Sequence, residues 1–418
     1  MSPFLSFSYF SLPRTNNFKK VDLNEIGTKF ERKKQEIYLS VNFPFCVDIC
    51  DYCEKKAYPF KPRNVYRYLT RLSKQINSFT EVSNSFKVKD IIITGGSPSV
   101  LDEKDIYVII EAINSVFDVK GQVFLDANVS DLFNYEKVEA LYSAGVDYIN
   151  IKTPTMSKRE LETLGRYDYY PEDLTRAINN LKDAGFNEII LSTMFMFPGN
   201  SVESFEKTLN ELLSLSPTFL HIRPFMLNPK SKLAYKISIN KAPNIPKHRL
   251  FRKFLKKFYE VIKNFEYTIT TPWTVHKKKK VKFTFNPLPI TRNIDFLSLG
   301  SDSIFRLGNL LMKAPSLTEF MAEGKTFFYM YEMPKHEELI LYILLQLFNG
   351  LQINRRLFRL KFADYDAFDT VTECFEKFKR RGYFIEKKEF LQLSDRGIIL
   401  IGLLTYRYMK QLQKLILA

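Results

Sequence analysis

The sequence has little cysteine, little glycine and no long apolar segment. Only four of its 418 residues are cysteine and 15 are glycine, which excludes a disulfide-rich scaffold and a collagen-like chain. The longest nearly unbroken apolar run, residues 397–404, is far shorter than the roughly 20 residues needed to span a bilayer. The first residues lack the basic and apolar stretches of a signal peptide. We therefore expect a cytoplasmic protein with no membrane span.

Positive charge is in excess, with 62 Lys and Arg against 46 Asp and Glu and a net charge of +16. Such a charge favours anionic partners, among them nucleic acid, an acidic membrane surface or a polycarboxylate substrate. The richness in Lys, Phe, Ile and Asn also fits the drift of an AT-rich genome, which would raise the charge without a functional cause. Because the sequence has no motif that reads bases, we expect an anionic small molecule rather than nucleic acid.

Apolar strands alternate with amphipathic helices over the first half of the chain. This order predicts βαβ units and a parallel sheet, hence an α/β fold with a closed or partly closed barrel. The predicted strands are residues 37–43, 90–93, 122–126, 148–152, 188–194 and 219–222. The predicted helices are residues 65–79, 104–117, 135–144, 171–184 and 202–214.

The pattern changes twice more, so four segments are predicted. Residues 1–35 form a polar, irregular N-terminal extension, and residues 36–229 form the β/α core. Residues 230–335 are a basic, aromatic connecting region that completes the core. Residues 336–418 form a small C-terminal helical domain that is winged-helix-like, because helices at 365–381 and 395–415 flank a pair of short strands. The length suits more than one domain.

Three of the four cysteines lie within eight residues, as Cys46, Cys50 and Cys53 in the spacing C-x3-C-x2-C. Three thiolates on one loop could ligate three irons of a 4Fe-4S cluster and leave the fourth iron for another ligand. A structural zinc ion normally has four protein ligands. Here the fourth would have to come from far along the chain, as from Cys374 or His221.

This loop follows the first strand of a β/α series, and the chain thereby resembles the radical S-adenosylmethionine (SAM) superfamily. The lead-in FPFC at residues 43–46 is similar to that of the oxygen-independent coproporphyrinogen III dehydrogenase group, which includes a haem chaperone branch. The turn TGGSPS at 94–99 resembles the glycine-rich turn of that group. Further similar segments follow in the same order at residues 164–166, 197–199, 297–301 and from 336 onward, so the resemblance covers about 36–415.

The resemblance implies a partial barrel of the radical SAM type and two cofactors, a 4Fe-4S cluster and SAM. The reduced cluster would cleave SAM to a 5′-deoxyadenosyl radical, which would take a hydrogen atom from an organic substrate, with a tetrapyrrole as first choice. A low-potential electron donor such as flavodoxin or ferredoxin is implied as partner. The metal ligands would be Cys46, Cys50 and Cys53. SAM contacts would come from the following residues: Gly95, Gly96, Ser97, Asp126 and Arg166.

Several positions depart from the family pattern around SAM. The altered residues are Ser40, Asn42, Asp126, Pro154, Ser192 and Met196, where the group usually has Tyr, His, Glu, Gln, Asp and Gly. No catalytic residue is assigned, because the role of that Asp cannot be carried over. Three hypotheses about the function remain: a radical SAM enzyme, a haem-binding chaperone or degenerate relative without efficient SAM cleavage, and a radical SAM methyl or alkyl transferase.

Other residues allow both a structural and a functional reading. Arg166 could pair with the SAM carboxylate or form a surface ion pair with Asp168. Tyr52 could pack near the adenine or in the core. The lysine run at 277–280 could attract an anionic substrate or be a solvated loop. We expect structural roles for His221 and His336, and a buried core position for Cys374.

Overall fold

The computed structural model describes residues 17–29, 35–278, 295–322, 324–362 and 375–417. The α/β fold with a parallel sheet is confirmed, and it ends in a helical C-terminal region. Within the described residues, no helix is both long and apolar enough to cross a bilayer.

A sheet of ten strands forms the centre of the structure. Its strands are β2 (Gln35–Phe43), β5 (Phe86–Gly95), β6 (Asp118–Val119), β7 (Val123–Ala127), β8 (Tyr148–Lys152), β9 (Ile189–Phe195), β10 (Phe219–Pro224), β11 (Tyr267–Thr271), β12 (Thr274–Lys277) and β13 (Asp295–Gly300). The order is β11-β12-β10-β9-β8-β7-β5-β2-β13, with β6 beside β5. Pairing is parallel from β10 to β13. The path has two distinct edge strands among the described residues, so the barrel is partial.

Helices connect the parallel strands and cover the sheet. They are α2 (Pro62–Ser78), α3 (Glu103–Val116), α4 (Tyr135–Ser143), α5 (Lys158–Thr163), α6 (Asp173–Asp183) and α7 (Val202–Ser214), after α1 (Leu23–Thr28) near the N-terminus. Side-chain caps at Asp102, Asn134 and Ser201 begin three of them. Each predicted strand and helix of this half overlaps an observed one.

The central strands are buried along their whole length, as expected for a parallel sheet with both faces covered. All five residues of β7 and four of the five of β8 are buried. The helices bury one stripe each; in α6 it comprises Leu174, Ala177, Ile178 and Leu181. This period explains why the sequence predicted these elements.

The connecting region is more regular than its composition suggested. It contains α8 (Lys232–Ser238), α9 (Phe251–Ile262) and the strands β11 and β12, which extend the sheet in antiparallel pairing beside β10. The apolar stripe of α9, with Phe251, Phe254 and Phe258 buried, was present in the sequence but was obscured by the lysines between them. The region therefore contributes strands to the central sheet.

The described part of the N-terminal extension contains regular secondary structure. Strand β1 (Lys19–Asp22) pairs with β16 (Phe327–Glu332) in a four-stranded antiparallel sheet completed by β14 (Ile304–Leu307) and β15 (Leu310–Lys313). Only its third residue, Val21, is buried. A single buried position gives no period, so the sequence could not reveal this strand.

The C-terminal region combines helices with a three-stranded sheet. Its elements are α11 (Lys335–Gly350), β17 (Gln352–Asn354), α12 (Arg355–Phe362), β18 (Phe384–Lys387), β19 (Phe390–Leu393) and α13 (Asp395–Leu417), after α10 (Leu317–Met321). The sheet order is β17-β19-β18. The predicted helix at 365–381 lies partly outside the described residues, of which 375–380 are helical. Cys374 and residues 279–280 of the lysine run lie outside them as well.

Trp273 marks the contact between the C-terminal helices and the sheet. It is the chain's one tryptophan and is 1% exposed, and its ring packs edge-on against Phe348 of α11 at 5.1 Å. Nearby, the Tyr406 hydroxyl of α13 donates to the backbone oxygen of Phe225 at 3.2 Å. Tryptophan emission therefore reports on this packing.

We expect Phe348→Ala to lower the free energy of unfolding by about 3–5 kcal/mol, because it leaves a cavity between helix and sheet. Tryptophan emission should also move to longer wavelength as water approaches Trp273. Fluorescence-monitored urea unfolding measures both. Leu360→Ala, at a side chain that is 70% exposed in the same region, is the control and should change neither. An unchanged emission maximum in Phe348→Ala would contradict the packing.

Candidate functional site

A cavity of about 290 Å³ opens at the carboxyl ends of the parallel strands. Ligand sites of open α/β sheets lie at this edge, because side chains from consecutive strand ends meet there. Polar and charged residues of seven strands line it: Ser40, Asn42, Thr94, Asp126, Asn150, Lys152, Ser192, His221, Arg223 and Ser298.

The three clustered cysteines line the same cavity. Cys46 ends the short strand β3 (Phe45–Cys46), which pairs with β4 (Tyr58–Pro59), and the loop between these strands carries Cys50 and Cys53. The Cys53 amide donates to the backbone oxygen of Cys50 at 3.1 Å, which turns the loop back on itself. All three side chains are partly exposed and free of disulfides.

The donor set suits a cluster better than a single ion. Among the described residues, no three His, Cys, Asp or Glu side chains are placed to hold one metal ion. In a 4Fe-4S cluster each thiolate ligates a different iron, so the sulfurs need not converge on one point. Burial raises the pKa of Cys46 to about 12 and also raises the pKa of Cys53. Metal binding would therefore have to displace protons from these thiols.

Two buried carboxylates hold the cysteine loop in place. The Lys236 ammonium of α8 donates to Asp51 at 2.5 Å, and the Leu233 amide donates to the Asp51 backbone oxygen at 2.8 Å. Glu54 forms an ion pair with Arg223 at the end of β10 and accepts from the Met226 amide at 2.9 Å. The loop is thus attached to chain segments on both sides without any metal.

The glycine-rich turn packs directly on the cysteine loop. The Gly96 amide donates to the backbone oxygen of Phe43 at 2.6 Å, and a Cβ on Gly96 would lie only 2.9 Å from Cys46 Sγ. Gly95 has φ +124°, which side chains rarely allow. Gly95 and Gly96 both line the cavity. A larger residue at Gly96 would displace the start of the cysteine loop, and one at Gly95 would clash with Phe43 of β2.

Ser97, the third predicted contact of this turn, is not among the residues that line the cavity. Its hydroxyl donates to Asp131 at 2.9 Å and accepts from the Asn128 side chain at 2.9 Å. Ser97 therefore stabilises the turn through the loop that follows β7, because its side chain faces that loop and not the cavity. The side chain of Ser97 thus has its partners within the protein, and a contact of this residue with SAM stays a prediction.

Asp126 lies at the floor of the cavity and is already paired. Its Oδ2 accepts from Thr94 Oγ1 at 2.5 Å and lies 2.9 Å from Lys152 Nζ, while its Oδ1 accepts from Asn150 Nδ2 at 2.8 Å. Burial alone would raise the pKa of Asp126, but the charges of Lys152 and Lys55 and these hydrogen bonds together hold it below its usual range. Asp126 is therefore a buried, ionised carboxylate.

Arg166 forms an ion pair with Asp168, but the pair is buried rather than on the surface. Arg166 is 4% exposed, and its Nε and a terminal nitrogen lie 2.7 and 3.0 Å from the two Asp168 oxygens. A further guanidinium nitrogen donates to the Tyr52 hydroxyl at 3.3 Å. Arg166 and Tyr52 both line the cavity beside Cys50.

The positions that depart from the family pattern form their own hydrogen bonds. Ser40 and Ser298 hydroxyls are 2.9 Å apart, Asn42 donates to the Ser301 backbone oxygen at 2.6 Å, and Ser192 donates to Asn150 at 2.7 Å. The side chains of Ser40, Asn42 and Ser192 therefore each have a hydrogen-bond partner inside the protein. Two further positions differ in placement: Pro154 lines the cavity, whereas Met196 is buried with φ +65°.

Sequence reasoning missed several cavity residues, namely Thr94, Asn150, Lys152, Glu54 and Arg223. Apart from Glu54, which lies in the cysteine loop, they share one signal, a polar side chain within the last three residues of a strand. Lysines 277 and 278 are placed differently. Lys277 ends β12, where its amide donates to the backbone oxygen of Thr218, just before β10 begins. That is the amino end of the parallel strands, so these lysines do not surround the cavity.

His221 lines the cavity from β10, although we expected only a structural role. Its ring is 1% exposed, and Nδ1 lies 2.9 Å from Thr274 Oγ1. Nε2 is buried and has no hydrogen-bond partner among the residues that the structure describes. Burial lowers the pKa of His221 to about 3, against which the Asp126 charge and the Trp273 backbone act only weakly. The imidazole is thus neutral at physiological pH.

This burial predicts a loss of stability in acid. In the unfolded chain His221 has its ordinary pKa of about 6.5 and is protonated below that pH, whereas in the folded protein it stays neutral down to about pH 3. Because the unfolded state then binds more protons, the free energy of unfolding falls as the pH falls. Between about pH 7.5 and pH 5.5 the contribution is about 1 kcal/mol. Urea unfolding at both values should show that His221→Gln loses this part of the pH dependence. His248→Gln, at an exposed site, should keep it; equal slopes in both variants would contradict the assignment.

Comparison with known proteins agrees with the cavity and its loop. The sequence profile of the radical SAM superfamily matches residues 41–212. The heme chaperone HemW of Bacillus subtilis is 28% identical over 194 residues, which are 46% of this chain and 51% of that protein. The oxygen-independent coproporphyrinogen-III oxidase-like protein HemZ of B. subtilis is 24% identical over 209 residues, 48% of this chain and 42% of that protein. The chain thus spans about half the length of the curated relatives it matches.

One solved structure has the same fold over nearly the whole chain. The coproporphyrinogen III oxidase HemN of Escherichia coli, a radical SAM enzyme, superimposes with a TM-score of 0.79. The match covers 97% of this chain and 98% of HemN at 16% sequence identity. The superfamily uses a 4Fe-4S cluster and SAM as cofactors, and the cysteines, glycine turn and cavity described above fit both. Residues 41–212 of this chain therefore match the radical SAM superfamily, and the chain has the fold seen in HemN.

Proposed function

We propose that the chain is a radical SAM enzyme of the cytoplasm that acts on a tetrapyrrole-type substrate. The observation that carries this proposal is the convergence of Cys46, Cys50, Cys53 and the Gly95–Gly96 turn on one cavity. Three thiols on one loop suit a 4Fe-4S cluster with one iron left for SAM. The cytoplasm keeps such thiols reduced.

The cavity residues would bind and orient the cofactors. When bound, the cluster and SAM supply the one-electron chemistry that removes a hydrogen atom from the substrate. The cysteine thiolates would hold the cluster, and the backbone of Gly95 and Gly96 leaves room beside it because no Cβ intervenes. Arg166 is a buried cation beside Cys50 and suits a carboxylate of SAM.

The substrate class is supported by the relatives and by charge. HemN, HemZ and HemW are all named for tetrapyrrole chemistry or haem. A net charge of +16 would attract a substrate with several carboxylates. A low-potential electron donor such as flavodoxin or ferredoxin would have to reduce the cluster.

Haem transfer is the second candidate function. Similar relatives from B. subtilis and Haemophilus influenzae are both named heme chaperones, and the second is 24% identical over 211 residues. In addition, the carboxylate that would contact SAM, Asp126, is already paired with Lys152. A protein that keeps the cluster and fold while cleaving SAM poorly would have these features.

Each of Cys46→Ala, Cys50→Ala and Cys53→Ala should abolish the cluster, because a 4Fe-4S cluster needs all three thiolates. Cys374→Ala, the matched control, should keep it. Anaerobic reconstitution followed by iron and sulfide analysis measures the result. If one of the three variants kept full iron while Cys374→Ala lost it, the ligand assignment would be wrong.

The deciding experiment measures 5′-deoxyadenosine from reduced, reconstituted protein with SAM. Formation that depends on the three cysteines supports the enzyme, and decarboxylated coproporphyrinogen would identify the dehydrogenase reaction. Tight haem binding without 5′-deoxyadenosine supports the chaperone. A methylated product with S-adenosylhomocysteine would instead identify a transferase.

A further inference from the structure

Lys152 places its positive charge in the cavity beside Asp126. In the proposed SAM site, a positive charge at this position would be expected to come from the ligand. Lys152 is the last residue of β8, and its ammonium lies 2.9 Å from Asp126 Oδ2 and donates to the Gly96 backbone oxygen at 3.2 Å. It thus connects the floor of the cavity to the glycine-rich turn. The side chain is 29% exposed, so this cation borders the open space of the cavity.

Asp126 has little capacity left for another partner. A carboxylate has about four positions for hydrogen-bond donors. Thr94, Asn150 and Lys152 occupy three of them. Lys152 also cancels the negative charge that would attract a ligand cation. A ligand ammonium at Asp126 must therefore share the carboxylate with Lys152 or displace it.

The other charges that line the cavity do not restore an excess of negative charge. Four carboxylates face four cations: Asp48, Glu54, Asp126 and Asp302 against Lys55, Lys152, Arg166 and Arg223. Arg223 pairs with Glu54, and Arg166 pairs with Asp168 outside this set. The carboxylates and cations that line the cavity are thus equal in number, and Asp126 is the carboxylate that Lys152 neutralises.

We infer that Lys152 is a specificity-determining residue that weakens the binding of cationic ligands at Asp126. This inference rests on the proposed SAM site and deepens it. SAM carries an ammonium and a sulfonium against one carboxylate, whereas S-adenosylhomocysteine has the same ammonium and carboxylate with a neutral sulfur. Lys152 therefore penalises SAM more than S-adenosylhomocysteine, and it favours ligands with anionic groups at this position.

The test is titration calorimetry of SAM and S-adenosylhomocysteine with the full chain, both metal-free and reconstituted. Lys152→Met should tighten SAM binding roughly tenfold, because a unit charge a few ångströms away is removed. The gain for S-adenosylhomocysteine should be smaller. Thr94 and Asn150 still donate to Asp126 in this variant, so the carboxylate keeps its place. Lys152→Arg retains the charge and should bind SAM as the wild type does.

Two controls separate the local effect from others. Lys158→Met removes the same charge from an exposed helix position outside the cavity and should leave both affinities unchanged. Lys152→Gln repeats the test with a polar side chain if Lys152→Met fails to fold. Equal or weaker SAM binding by folded Lys152→Met and Lys152→Gln would overturn the inference about Lys152. Absence of iron from the reconstituted wild type would overturn the proposed function instead, and the metal-free titration would still decide the role of Lys152.

Discussion

The ion pair between Glu54 and Arg223 joins the cysteine loop to the carboxyl end of β10, and the geometry of the site depends on it. Glu54 directly follows Cys53 and is buried, and its second oxygen accepts from the Met226 amide. Loss of Arg223 would strongly destabilise the fold, because the buried carboxylate of Glu54 would then remain without a partner charge. The ion pair therefore stabilises the loop position in which the cysteines line the cavity.

Parallel pairing determines which residues can meet there. Strands β2, β5, β7, β8, β9, β10 and β13 run in one direction, so the polar residues at their carboxyl ends share one edge. The hydrogen bonds from Ser192 to Asn150 and from Asn150 to Asp126 connect three neighbouring strands. Such a network is satisfied within the protein and gives the cavity floor a fixed shape. A ligand meets a preformed surface rather than one that must be ordered on binding.

Much of the fold could be predicted from the sequence, because periods of two and 3.6 residues directly reflect burial. The helix at Val202–Ser214 was predicted with its observed bounds, and the three cysteines of the predicted motif line one cavity. Pairing between residues that are distant in the chain produces no such period in the sequence. The partner of Asp126 proved to be Lys152, 26 residues away on the next strand, and no local pattern contains that information. For the same reason, the buried state of the Arg166–Asp168 pair and the pairing of β1 with β16 became clear only in three dimensions.

The attachment of the cysteine loop has a consequence for how the protein is made. Glu54 is 172 residues before Met226, the Cys53 backbone oxygen is 175 residues before Asn228, and Asp51 is 185 residues before Lys236. During synthesis the three thiols leave the ribosome long before the residues that hold their loop. A nascent chain thus carries an unconstrained thiol triplet, open to adventitious metal and to oxidation, until β10 and α8 have followed it. A cluster on these thiols would therefore gain a loop of fixed position only once β10 and α8 have been translated.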